Sequence, residues 1–174
     1  MARNDPTIDA RWARFHSLPG PRRIPRDGPH GEDDVAELLH RQTTLIGELC
    51  DRAPPGFLYR PRWPDADSAS SENQQWDDLP LRWQDWAIVR DEEDPDAPQF
   101  RLVIAAATWH ADWNETWLRA TAELNLSMGV PVAEDASWLA ATYDGGIDLV
   151  PPDCVAREDL VARHPSWRPR RGDL

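Results

Sequence analysis

Lysine is absent from this 174-residue chain: all nineteen basic residues are arginine, against thirty-one acidic ones, for a net charge of −12. Nucleic acids and anionic membrane faces recruit proteins through neutralised phosphates, so this balance argues against both as partners and leaves cationic partners open. An arginine-only basic set fits a GC-rich bacterial coding sequence better than selection for bidentate pairing. Cysteine is scarce, with Cys50 and Cys154 alone and no CxxC or metal-ligand spacing around them. Two buried free thiols in a reducing cytoplasm are therefore expected, and neither is placed as a nucleophile, because a thiol on an apolar helix face stays protonated. The N-terminus lacks an apolar leader, and the longest apolar run, Leu102–Ala107, is too short for a bilayer, which predicts a soluble cytoplasmic protein. Nor does the chain contain HExxH, HxH, a glycine-rich phosphate loop or GxSxG. No metal, no cofactor and no catalytic residue is assigned.

What is present suits one α+β domain over residues 11–167, between a loose stretch 1–10 and a basic tail 168–174. Asp33–Arg52 spaces apolar residues at 35, 38, 39, 45, 46, 49 and 50, the stripe of an amphipathic helix, with acid in its first turn and Pro54-Pro55 beyond its end. A second helix is predicted over Asn114–Met128 behind an Asn cap, and a third over Asp153–Arg163, ended by Pro165. Phe57–Arg60 reads as a strand. Arg82–Arg90 and Gln99–His110 read as an antiparallel pair whose run Leu102–Ala107 predicts a central strand covered on both faces. Ser137–Val150 reads as a hairpin turning at Asp144-Gly145-Gly146. The polar stretch 63–80 is assigned to a loop, and Trp12, Phe15 and Leu18 to a proline-bounded segment wrapped over the domain. Helices and hairpins without βαβ alternation predict a mainly antiparallel sheet of about four or five strands flanked by about three helices.

Ten tryptophans are the strongest compositional signal. Trp86, Trp117 and Trp138 are expected in the core. Trp63, Trp76, Trp109 and Trp113 stand at loop or strand ends among carboxylates, where they suit an interface aimed at a basic protein partner, a site for a sugar-like or planar ligand, or the rim of a small core. His110-Ala111-Asp112 offers an imidazole beside a carboxylate, more simply a strand end next to a helix cap. Asp148 lies inside a strand between Ile147 and Leu149, so it must face solvent or be paired, with Arg14, Arg22 or Arg23 as natural partners. Two readings follow. In one, an Arg–Asp tie joins the chain ends; in the other, Arg14, His16, Asp144 and Asp148 form a small-molecule or catalytic site, with Arg14 clamping an anion and His16 moving a proton.

The segment Arg14-Phe15-His16-Ser17-Leu18-Pro19, the helix after it, Tyr143-Asp144-Gly145-Gly146-Ile147-Asp148 and the closing His164-Pro165-Ser166-Trp167 together resemble a family of uncharacterised bacterial proteins. Those proteins open with an RFHSLP-type segment and close with a YDGG-x-D hairpin and a short helix. In its acidic, Trp-rich composition the chain also resembles immunity proteins of bacterial toxin systems. That likeness implies a non-catalytic protein of immunity or accessory type that masks a basic partner. The alternatives are a small-molecule binder or enzyme with a site between the two motifs, and a structural subunit of an assembly.

Overall fold

The structure, a computed structural model, describes residues 6–19, 25–26, 31–62, 74, 76–89, 99–107, 111–122, 129–143 and 145–169. Among them are helices α1 (Pro6–Arg11), α2 (Gly31–Cys50), α3 (Ala111–Ala122) and α4 (Cys154–Arg163), and strands β1 (Ala13–His16), β2 (Pro55–Arg62), β3 (Gln84–Val89), β4 (Phe100–Ala106), β5 (Val130–Ala133), β6 (Leu139–Tyr143) and β7 (Gly146–Val150). The strands form one seven-stranded sheet in the order β1-β7-β6-β5-β2-β4-β3. Every neighbouring pair is antiparallel.

The α+β class, the hairpin and the order of the long helices agree with the sequence reading, but the sheet is larger than expected. Ala13–His16 and Val130–Ala133 are paired strands, and Pro6–Arg11 is helical where a loose stretch is expected. α3 begins at Ala111, ahead of the expected Asn114 cap. A further correction concerns β4. It lies one place from the end of the sheet, and its two faces differ: Val103, Ala105 and Ala107 are buried on one, while on the other Leu102 and Ile104 are half-buried and Ala106 is exposed.

The core lies between the helices and one sheet face. Val35, Leu39, Leu45, Ile46 and Leu49 of α2, Trp117 and Leu118 of α3 and Leu160 of α4 join Phe15, Leu58, Ala133, Ala140, Ile147 and Leu149 in one cluster. Each fully buried large apolar side chain there contributes about 1.5–3 kcal/mol. α4 starts where Asp153, extended at φ −153°, accepts a 2.7 Å hydrogen bond from the Ala156 amide. The β6–β7 reversal leaves only Asp144 and Gly145 between the paired residues Tyr143 and Gly146.

The cysteines differ from expectation too. Cys154 is exposed and Cys50 is half-buried, both as free thiols. Burial pushes the Cys50 thiol up to about 11, with the Asp51 charge adding to it. Ellman's reagent at pH 8 should therefore titrate one thiol in the folded protein, and Cys154→Ala should remove that reaction. Because folded Cys50 holds its proton more tightly than an unfolded thiol near about 8.5, it contributes stability below that pH. The contribution falls away as pH rises towards 11.

Candidate functional site

Two places combine chemistry-bearing side chains. The first is where β1 meets β7. Arg14 is in register with Asp148 and His16 with Gly146, all on the sheet face away from the helices. The Arg14 guanidinium forks onto the carboxylate, Nε donating to Oδ1 and Nη2 to Oδ2, both at 2.7 Å. Tyr143 Oη donates to the same Oδ1 at 3.4 Å. The guanidinium also lies 5.1 Å from the Trp12 ring centroid and 5.8 Å from that of Tyr143. Its hydrogen bonds to Asp148 hold Arg14 charged well above its ordinary range. A directly opposed, bidentate cross-strand pair of this kind ties two strands and fixes their register.

The same tie is repeated around it. Arg11 Nη1 donates to the carbonyls of Ser137, Pro151 and Pro152, and Arg157 Nε donates to that of Trp12. Buried Gln42 of α2 brings Nε2 to Ser17 Oγ and to the carbonyls of Tyr143 and Gly146, at 3.1–3.2 Å. His164 Nε2 lies 2.8 Å from Glu48 Oε1 and stacks on Trp167 at 4.1 Å. Both ends of the motif pair are thereby fastened to α2.

Asp144, the remaining member of that candidate group, lies outside the described residues, as do Trp63, Trp109 and His110. Trp113 belongs to α3, and its side chain is outside the described set. Trp76 is corrected from surface to core. It is fully buried, stacked on Trp117 at 6.2 Å and set edge-on to Trp83 at 5.7 Å. These rings enclose a fully buried cation, since Arg60 sits 5.5 Å from the Trp76 centroid and 4.9 Å from that of Trp83. Asp77 accepts from Arg60 Nη2 at 2.9 Å. Burial of a charge requires such a partner and a desolvation-tolerant group such as guanidinium.

The second place is the end of the sheet. Trp86, expected in the core, is 60% exposed, and Ile88 is 62% exposed, both on β3. A bulge between Asp85 and Ala87 inserts Trp86 as the extra residue of the strand, where it meets Tyr59 edge-on at 5.1 Å. Trp86 and Ile88, with Asp85, Ala87 and Arg101, line a shallow hollow of about 330 Å³. Asp85 and Arg101 form an exposed 2.6 Å ion pair at its side. From Trp86 the open face continues inward through half-buried Tyr59, Ile104, Val130 and Val132, whereas Ile88, in register with Arg101, belongs to the face of Val103. Large exposed apolar groups on one terminal strand are a surface that solvent disfavours. Alternation along β3 does not report this, because as the terminal strand it is exposed at Gln84, Asp85, Trp86 and Ile88 alike.

Among the described residues, no group of three or more His, Cys, Asp and Glu is placed to hold a metal ion. No helix among them is long and apolar enough to cross a membrane. No curated protein and no solved structure matches the chain. A family model, described as Domain of unknown function (DUF3885), matches residues 4–171, and the chain belongs to that family.

Proposed function

We propose that the protein is a non-catalytic binding protein of immunity or accessory type, and that it holds a cationic protein partner at the exposed end of its sheet. The observation that carries this reading is the joint exposure of Trp86 and Ile88 on β3. Aromatic and branched apolar groups supply the buried centre of an interface, and a chain of net charge −12 speeds encounter with a basic partner. Both side chains are mostly in solvent, so Trp86→Ala/Ile88→Ala should leave stability within about 0.5 kcal/mol. The same double variant should weaken capture of the native partner by a factor of about 30 or more, equivalent to about 2 kcal/mol. Quantitative affinity capture from the native lysate, run beside the unaltered protein at two salt concentrations, checks both the loss and its ionic character.

One observation favours a second reading, a small-molecule site: Arg14, His16 and Asp148 stand together on the open face. Against it, the Nε/Nη2 edge of Arg14 and both carboxylate oxygens of Asp148 are already engaged with each other. For a tie, Asp148→Ala costs about 1 kcal/mol, discounted for solvent because Arg14 is 36% exposed. For a site, the same change also abolishes a ligand-induced thermal shift in a metabolite screen. Thermal denaturation of Asp148→Ala with and without the screened compounds separates the two.

A further inference from the structure

The two ends of the sheet are built differently. β1 is four residues long, and the chain on either side of it is fastened: Trp12 by its carbonyl to Arg157, Ser17 by its amide to the Gly145 carbonyl and by its hydroxyl to Gln42. β3 is six residues long and, among the described residues, pairs with β4 alone. Gln84, Asp85, Trp86 and Ile88 are exposed along it. The outer side of a terminal strand still presents a row of backbone N–H and C=O groups, which is a template for one more strand. The bulge at Asp85/Ala87 blunts part of that row. Beyond it the strand is regular, with Ala87, Ile88 and Val89 in register with Leu102, Arg101 and Phe100.

Charge selects the kind of segment that fits. The net charge of −12 over the whole chain favours a cationic occupant. A second copy of the chain would bring another −12 charge to the same edge. A segment bearing arginine or lysine meets a favourable field there, while its backbone pairs with the strand and one apolar side chain enters the hollow beside Trp86 and Ile88.

Resting on the protein-binding reading above, we propose that β3 accepts an extended, cationic segment of the partner as an added strand of the sheet. The probe is a short alternating Arg-Val peptide. Its controls are two versions N-methylated at alternate residues, one in each phase, and a Glu-Val counterpart. The Arg-Val peptide should bind and slow amide hydrogen exchange across Gln84–Val89. N-methylation in the phase facing β3 should weaken binding by about tenfold or more. The other phase should bind like the parent, and the Glu-Val peptide should not bind. Absence of Arg-Val binding, equal binding by both methylated forms, or equal binding by the Glu-Val peptide overturns the proposal. If both methylated forms bind equally but Trp86→Ala/Ile88→Ala abolishes binding, the surface reading stands and strand addition fails. If that double variant binds like the unaltered protein, both fail. A dimer without peptide that the double variant dissolves assigns the edge to a second copy and also overturns the proposal.

Discussion

Trp76→Ala is expected to be among the most damaging single substitutions, lowering stability by about 3–5 kcal/mol. Two losses combine. The indole is fully buried between Trp117 and Trp83, so truncation leaves a cavity in the main core. It also removes one of the aromatic faces against the buried Arg60 guanidinium, leaving the cation with Trp83 and Asp77. In a chain of this size the melting temperature should fall by about 10 °C, at about 2–4 °C per kcal/mol. Trp76→Phe keeps an aromatic face over Arg60 and should cost less than half as much. A double-mutant cycle with Arg60→Met isolates the cation–π part, with an expected coupling of about 1 kcal/mol. Urea unfolding of the set measures all of these.

Gly146→Ala is the second large effect, because it strikes the joint between the chain ends. A Cβ at Gly146 would collide with the carbonyl oxygen of Phe15 and would meet Tyr143 Oη at 3.0 Å. The first obstacle is backbone, so β1 must move away from β7, and the register that places Arg14 opposite Asp148 moves with it. Overpacking of this sort costs about 1–3 kcal/mol before the pair is counted. The variant should unfold earlier and lose the hydrogen-exchange protection of Ala13–His16 before that of β6. Substitution at Gly47, where a Cβ meets nothing within 4 Å, is the matched control and should be neutral or mildly stabilising.

These two residues show where sequence reasoning reaches. The Ser137–Val150 hairpin and α4 are legible because their signals are local: a two-residue reversal containing glycine, a proline pair, an Asp cap. α2 is legible from its apolar stripe. Gly146 is legible as a glycine but for a different reason than turn chemistry. It is the first residue of β7, and its constraint is the close approach of β1. The strands β1 and β5 are four residues each, and they owe their existence to partners far away in the chain, which no local propensity reports.

Asp148 and Arg14 illustrate a partial success. A carboxylate inside a strand needs a partner, and the N-terminal arginines are natural ones, but only the antiparallel register distinguishes Arg14 from Arg22 and Arg23. Trp76 and Trp86 exchange their expected places for equally physical reasons. A polar neighbourhood in the sequence hides Trp76, whose ring packs near the buried Arg60 guanidinium while that cation's partner Asp77 stays exposed. Trp86 is the inserted residue of a terminal strand that is exposed along most of its length. The candidate interface therefore depends on β3 being the last strand of the sheet, a position that alternation of apolar residues cannot encode.

Site-specific photocrosslinking reads out directly whether the β3 edge meets a cationic partner. A photoreactive phenylalanine analogue is placed at position 86 and, in a separate protein, at position 155, where Val155 is 67% exposed on α4. Position 86 should crosslink a discrete cationic protein in native cells, Ile88→Asp in the same chain should abolish the adduct, and position 155 should give none. Adducts at position 155 with none at position 86 would contradict a partner site on β3.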